Sequence, residues 1–210
     1  FSYGEQMILE DLNLEIEKGE IIGIMGESGS GKSSLAKLLM RFRQASKGSI
    51  KVSSIDIEEI DSVNLKQVQA YMTQDSHLFK GSIKDNITMF SEEIDELQVI
   101  EAAKKASIHD FIVSLEHGYD TLIAELASNV SSGEKQRIAL ARLFYFDRPI
   151  LVLDEPSSNL DSLSEAIILK SLYENRKDKI IILISHREST MRIADRIYHM
   201  QNGKLIRLQE

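Results

Sequence analysis

The stretch Gly26-Glu27-Ser28-Gly29-Ser30-Gly31-Lys32-Ser33 fits the pattern G-x-x-x-x-G-K-[ST], in which a glycine-rich loop cradles phosphate groups. The apolar run at residues 21–25 precedes it and predicts a buried strand. Residues 34–40 follow it with apolar spacing and good helix formers, which predict a helix. A strand, a glycine loop and a helix in this order are the context that the pattern requires. The sequence therefore predicts a phosphate-binding loop rather than a glycine-rich turn without a ligand.

Each part of this loop has a predicted role toward a nucleoside triphosphate. Its glycines let the backbone curl so that successive N–H groups point at anionic oxygens, and the next helix adds its positive dipole end. Lys32 is predicted to reach the β- and γ-phosphates, and the Ser33 hydroxyl to coordinate Mg²⁺. The residues of this region predicted to contact the nucleotide are Glu27, Ser28, Gly29, Ser30, Gly31, Lys32, Ser33 and Ser34.

Length, charge and composition narrow the class of protein. The chain has 210 residues, enough for one large domain, and a net charge of −8, which argues against a nucleic acid held by a general basic field. Without cysteine it can form neither disulfides nor thiolate metal sites. No apolar run approaches the roughly 20 residues of a membrane helix. Because the sequence opens on Phe1, we expect an excised domain whose neighbours, membrane segments among them, lie outside it.

Strands alternate with helices along most of the chain. Apolar runs at 150–153 and 180–184 predict buried strands, alternation at 12–17 predicts a half-buried strand, and the turn at 201–204 predicts a hairpin. From about 82 to 147 the spacing becomes helical, which indicates a helical insert. We expect one domain over 1–210, an α/β fold with a mostly parallel sheet that binds ligands at the carboxyl ends of its strands. The α/β core is predicted to comprise residues 1–81 and 148–210.

Polar residues at other strand ends supply the rest of a candidate active site. Asp154 and Glu155 end an apolar strand, where one carboxylate can hold Mg²⁺ and the other can position the attacking water. His186 ends the next buried strand, within reach of the same sheet edge. Gln74 also ends a strand-like piece, and its amide can meet water or Mg²⁺. By chemistry alone, a lone histidine at a strand end is more often structural than catalytic, and a structural role for Gln74 is as well supported as a role at the metal.

A further motif completes a recognisable set. Residues 129–134, Asn-Val-Ser-Ser-Gly-Glu, followed by Lys-Gln-Arg-Ile-Ala-Leu-Ala-Arg, resemble the signature motif of ATP-binding-cassette (ABC) ATPases. With the phosphate loop, Gln74, the Leu-Asp-Glu-Pro stretch at 153–156 and His186, the motifs stand in that family's order over essentially the whole chain. The resemblance implies a P-loop NTPase fold with an N-terminal antiparallel β subdomain and a helical insert that carries the signature motif. It also implies ATP and Mg²⁺ as ligands.

The resemblance gives the single residues roles. Tyr3 matches the aromatic residue that stacks on adenine, the alternative being an ordinary surface tyrosine. Gln74 matches the glutamine loop, which senses Mg²⁺ and touches a membrane partner. Glu155 matches the catalytic base and His186 the switch histidine, so the implied catalytic residues are Lys32, Gln74, Glu155 and His186. The implied metal-binding residues are Ser33, Gln74 and Asp154.

In this family the signature motif serves a second subunit. Ser131, Gly133 and Glu134 would close over the γ-phosphate that the partner's loop binds, so that ATP joins two cassettes head to tail. Asp161 matches the loop that crosses to that subunit. The same residues also suit an ordinary helix N-cap, with Ser131 or Ser132 as the capping residue. The motif reads Val-Ser-Ser-Gly-Glu where the family usually has Leu-Ser-Gly-Gly-Gln, which removes no residue that does chemistry.

The region 74–87 is similar to the corresponding region of exporter-type cassettes, which are commonly fused behind six membrane helices. It implies a transmembrane domain as partner, docked on apolar Leu78, Phe79 and Ile83; the alternative is that these side chains form core. Glu125 is a further candidate contact. The implied function is an ATP-driven export motor at the cytoplasmic face of the cell membrane, working as a homodimer or heterodimer. A soluble cassette acting on DNA or ribosomes and a non-catalytic nucleotide-binding regulator are the alternatives.

Overall fold

A computed structural model of the chain describes residues 1–123 and 130–208. Within it the chain forms two compact units. The first comprises Phe1–Tyr71, Pro149–Glu155 and the chain from Arg176 onward, and the second comprises Met72–Arg148 and Pro156–Asn175. The helical insert predicted over about 82–147 lies within the second unit.

The elements are numbered in chain order. The strands are β1 (Ser2–Tyr3), β2 (Gln6–Met7), β3 (Ile21–Met25), β4 (Lys51–Val52), β5 (Ile55–Asp56), β6 (Gln69–Met72), β7 (Gly81–Ser82), β8 (Leu122–Ile123), β9 (Ile150–Asp154), β10 (Ile180–Ile184), β11 (Arg196–Gln201) and β12 (Lys204–Arg207). The helices are α1 (Lys32–Leu39), α2 (Ser62–Val68), α3 (Ile83–Thr88), α4 (Glu96–Lys105), α5 (His109–Ser114), α6 (Ser132–Phe146), α7 (Ser162–Glu174) and α8 (Glu188–Met191).

A six-stranded sheet in the order β12-β11-β3-β10-β9-β6 forms the centre of the first unit. Strands β11, β3, β10 and β9 run parallel, and β12 pairs antiparallel with β11. The predicted mostly parallel sheet and the C-terminal hairpin are therefore confirmed. The central strands are almost wholly apolar because both faces of a parallel sheet are covered. Their parallel direction brings the chain segments that follow β3, β9 and β10 to one edge of the sheet.

Antiparallel pairing in the N-terminal part is present as two small ladders, β1 with β2 and β4 with β5. The predicted strand at 12–17 is wrong, because no strand forms there. The side chains in this stretch do alternate between buried and exposed positions. Leu12, Leu14 and Ile16 pack against the core, and the residues between them are exposed. A side chain, and not a neighbouring strand, supplies a hydrogen bond to the backbone here: the Arg196 guanidinium donates to the Glu15 carbonyl oxygen at 2.6 Å.

The turn between β11 and β12 requires glycine at position 203. Asn202 and Gly203 both have positive φ, 49° and 75°, as a two-residue hairpin turn of this kind demands. A Cβ on Gly203 would also overlap the backbone carbonyl of Ile8. We therefore expect Gly203→Ala to lower the free energy of unfolding by about 3 kcal/mol, measured by urea denaturation. Gly48→Ala is the matched control, because Gly48 has φ 81° and open space around it; an equal loss in both variants would contradict the overlap.

Helix packing dominates the second unit, in which α6 packs against α3 and α4. The short strands β7 and β8 pair antiparallel beside them. Ser82 begins α3 with a capping box to Asp85, and Ser131 begins α6 in the same way with Glu134.

Glu125 and the first signature residue, Asn129, lie outside the described residues. In the described part of the chain, we find no helix with both the length and the apolar character needed to cross a membrane.

Candidate nucleotide-binding and catalytic site

The predicted phosphate loop connects β3 to α1 at the carboxyl edge of the sheet. Gly31 is the N-cap of α1 and has φ 112°, a conformation that favours glycine. A Cβ at this position would lie 2.6 Å from Cδ2 of Leu9, so a side chain here would also require the Leu9 side chain to move. The first turn of α1 therefore presents its free N–H groups at the loop, as an anion site requires.

Lys32 lies across its own loop. Its Nζ donates hydrogen bonds to the carbonyl oxygens of Gly26 and Glu27, both at 2.7 Å. The Ser30 hydroxyl in the same loop is buried and lacks a hydrogen-bond partner within the described residues. A positive charge and a buried polar atom that needs a partner fit the binding of a phosphate chain in this loop.

The candidate Mg²⁺ site joins the end of β9 to the start of α1. The Ser33 hydroxyl donates to Oδ2 of Asp154 at 3.2 Å, and the Tyr71 hydroxyl donates to the same oxygen at 3.3 Å. Burial raises the pKa of the Asp154 carboxyl, because the charged form is poorly solvated. Burial, together with the nearby Asp154, raises the pKa of Tyr71 to about 12, so the phenol stays a donor.

Oxygen ligands of this kind fit Mg²⁺. The described residues contain no cluster of three or more histidine, cysteine or acidic side chains that could hold a metal by themselves. This agrees with the usual way Mg²⁺ binds at nucleotide sites, through one or two protein oxygens completed by water and substrate phosphates. Ser33 and Asp154 are the residues of the first unit that would hold it.

Glu155 and His186 lie in direct contact beyond the ends of β9 and β10. Nδ1 of His186 lies 2.8 Å from Oε1 of Glu155, and the His186 backbone N–H donates to the same oxygen at 3.1 Å. Glu155 is 7% exposed and has φ 52°, a left-handed conformation that costs energy for a residue with a side chain. Strain of this kind concentrates at functional sites, and here it belongs to the predicted catalytic base.

Tyr3 is exposed beside the N-terminal ladder. The edge of the Phe1 ring lies against it, with ring centroids 4.8 Å apart, and the Arg43 guanidinium lies 5.8 Å from the Tyr3 ring centroid. Stacking of Tyr3 on adenine remains a prediction, to which Arg43 adds a nearby positive charge.

The signature motif lies in the second unit, where Ser131 is the N-cap of α6. Its hydroxyl accepts from the Glu134 N–H at 3.3 Å, and Glu134 accepts from the Ser131 N–H at 2.8 Å. A Cβ on Gly133 would lie 3.0 Å from the carbonyl oxygen of Asn159, so this glycine allows close contact with the loop between β9 and α7. Asp161 caps α7 through the backbone N–H groups of Leu163 and Ser164. Capping is thus observed for Ser131 and Asp161, while their contact with a nucleotide stays a prediction.

The predicted docking region divides into buried and exposed side chains. Ile83 is 1% exposed and belongs to the core of the second unit, which agrees with the alternative that it forms core. Phe79 is 46% exposed and carries the Arg142 guanidinium 5.5 Å from its ring centroid. Gln74 is exposed in the same unit, and its role toward Mg²⁺ stays a prediction.

Two hydroxyl groups of the site were not predicted from the sequence, Tyr71 and Ser185. The Ser185 hydroxyl donates to Oε2 of Glu155 at 2.9 Å. Ser185 precedes His186 directly, and this adjacency at a strand end was the only available sequence signal. Tyr71 stands three residues before Gln74 in a short edge strand and carried no pattern of its own.

Comparisons with known proteins agree with this geometry. The family profile described as ABC transporter matches residues 9–158. The chain is 51% identical to a "Probable ABC transporter ATP-binding/permease protein" of Haemophilus influenzae and 38% identical to an "ATP-dependent lipid A-core flippase" of Syntrophus aciditrophicus, each over 98% of this chain. It covers 37% and 34% of those proteins, about a third of their length. A solved structure titled "Structure of a bacterial Atm1-family ABC exporter with ATP bound" superposes with a TM-score of 0.90 at 37% identity, over 95% of this chain and 35% of that one.

Proposed function

The chain belongs to the ABC transporter family, as one of its ATP-binding domains, and from this premise we propose that it hydrolyses ATP to drive a membrane exporter. The observation that carries the proposal is the pair formed by Glu155 and His186, with 2.8 Å between Oε1 and Nδ1, at the edge of the sheet where the phosphate loop begins. A regulator that only binds nucleotide needs no buried carboxylate held in this way.

In the proposed reaction, Lys32 and the loop N–H groups bind the β- and γ-phosphates. Ser33 and Asp154 would hold Mg²⁺, which would neutralise charge that develops on the phosphates. Glu155 accepts a hydrogen bond from the attacking water and takes its proton as the water oxygen bonds to the γ-phosphorus. The bond from the γ-phosphorus to the bridging oxygen breaks, and that oxygen stays on ADP. His186 contacts the Glu155 carboxylate through Nδ1 and offers its exposed ring edge to the γ-phosphate.

Release of inorganic phosphate from ATP by the purified chain tests the proposed function. We expect turnover with Mg²⁺ and ATP, and loss of turnover when EDTA removes the metal. Binding of ATP without phosphate release would favour the nucleotide-binding regulator instead.

We also propose a second cassette as partner, joined head to tail through ATP. Ser131 is exposed at the N-terminus of a 15-residue helix, so its hydroxyl and the neighbouring N–H groups are available to an anion. Gly133, Glu134 and Asp161 would complete the contact with the nucleotide on the partner. The net charge of −8 supports a protein partner rather than a nucleic acid.

The proposed second partner is a transmembrane domain, contacted through the region 74–87. Phe79 supports this contact, because a half-exposed aromatic ring suits an apolar partner helix. The Haemophilus influenzae relative, which has "ATP-binding/permease" in its name, favours fusion to such a domain over a soluble cassette that acts on DNA or ribosomes. The cassette would then work at the cytoplasmic face of the membrane.

A further inference from the structure

We propose that Ser185 is a positioning residue for Glu155, an inference that rests on the proposed function of Glu155 as the base. The serine hydroxyl holds one carboxylate oxygen, and this directs the other oxygen toward His186.

The Ser185 side chain is itself fixed from two directions. It is 0% exposed, and its Oγ accepts the Arg187 backbone N–H at 3.1 Å. The Ser185 backbone N–H donates to the carbonyl oxygen of Ile24 on the neighbouring strand at 3.2 Å. A serine hydroxyl has one proton to donate, and here that proton points at Oε2 of Glu155, 2.9 Å away.

His186 and Ser185, which both contact the Glu155 carboxylate, differ sharply in burial. The His186 side chain is 69% exposed, whereas the Glu155 side chain is 10% exposed and Ser185 is fully buried. An exposed imidazole is free to change rotamer, so it makes a poor anchor for the carboxylate. The buried hydroxyl is therefore the contact that keeps the carboxylate plane fixed when His186 moves toward a ligand.

Asp154 lies close to Glu155 and interacts electrostatically with both Glu155 and Lys32. Because the Ser185 hydroxyl is a buried donor to Oε2, its removal should change the orientation of Glu155 while Lys32 and the loop that bind the β- and γ-phosphates stay in place.

Kinetics of Ser185→Ala and Ser185→Thr give the first test. We expect Ser185→Ala to lower kcat for phosphate release about tenfold, the low end of what supporting partners of a site contribute. KM and the Kd for ATP should change by less than about twofold, because the loop that binds ATP is untouched. Ser185→Thr keeps the hydroxyl and should recover most of kcat. If its extra methyl prevents folding, Ser185→Cys takes its place; its thiol is a weaker donor, so its kcat should fall between that of Ser185→Ala and that of the natural chain.

The ¹⁵N signals of the His186 imidazole in the nucleotide-free chain give a second test that needs no turnover. We expect them to shift in Ser185→Ala and to return in Ser185→Thr, because the contact between Nδ1 and Glu155 depends on the anchored carboxylate. Thr88→Val is the matched control: it also removes a buried hydroxyl, one that donates to the Lys84 carbonyl in the second unit, and should leave both kcat and these signals unchanged.

Unchanged His186 signals in Ser185→Ala would overturn the proposal, as would an equal loss of kcat in Thr88→Val. A natural chain that releases no phosphate would instead refute the proposed function, while the His186 signals would still decide whether Ser185 anchors Glu155.

Discussion

Glu155→Gln is expected to lower phosphate release by at least about 100-fold while the Kd for ATP changes by less than about twofold. The amide has nearly the shape of the carboxylate but cannot accept a proton from water. It can still accept a hydrogen bond through its oxygen from either Ser185 or the His186 N–H, so the strand ends should keep their structure. Single-turnover phosphate release and equilibrium ATP binding measure the two quantities separately.

Glu165→Gln is the control for this variant. Glu165 is also a buried glutamate that accepts from a serine, with 2.7 Å between its Oε1 and Oγ of Ser157, but it lies in the second unit on α7. We expect full turnover in Glu165→Gln. Turnover of Glu155→Gln at near the natural rate would exclude Glu155 as the base.

Lys32→Ala is expected to raise the Kd for ATP about 100-fold, which corresponds to about 2.7 kcal/mol of binding free energy. The ammonium group now held between the carbonyl oxygens of Gly26 and Glu27 is the loop's own positive charge, and alanine removes it. Binding of a fluorescent ATP analogue measures the change, with circular dichroism to verify the fold.

Lys37→Ala removes an equal charge from the exposed side of the same helix and should leave the Kd within about twofold. A similar loss in both variants would mean that general attraction, and not the loop, binds the phosphates.

Much of the first unit could be predicted because its signals are local. The strands β3, β9 and β10 are short apolar runs bounded by turns, and the Asn202-Gly203 turn identifies the hairpin by its own chemistry. The alternation at 12–17 misled because it reports which side chains are buried and carries no information on a hydrogen-bonded neighbour. The pairing of β7 with β8 could not be predicted either. Two-residue strands some 40 residues apart leave no pattern in the sequence.

The residues of the candidate site also fall into those that could be predicted from the sequence and those that could not. Asp154, Glu155 and His186 could be predicted because each lies at or within two residues of the end of a recognisable strand. The contribution of Ser185 and Tyr71 could not, because a hydroxyl has no sequence pattern and its role depends on which carboxylate the fold brings to it. For Ile83 the sequence left a docking groove and the core equally open, because apolar character suits both and only packing decides between them.

The measurement that tests the central claim most directly is the mass of Glu155→Gln in solution, by size-exclusion chromatography with light scattering. Without nucleotide we expect a monomer of 23.8 kDa, and with saturating Mg²⁺ and ATP a particle of twice that mass. Adding Ser131→Ala, which removes the exposed cap that would face the partner's γ-phosphate, should weaken the dimer. A protein that binds ATP yet stays a monomer at every concentration would contradict the head-to-tail pairing of Lys32 with Ser131.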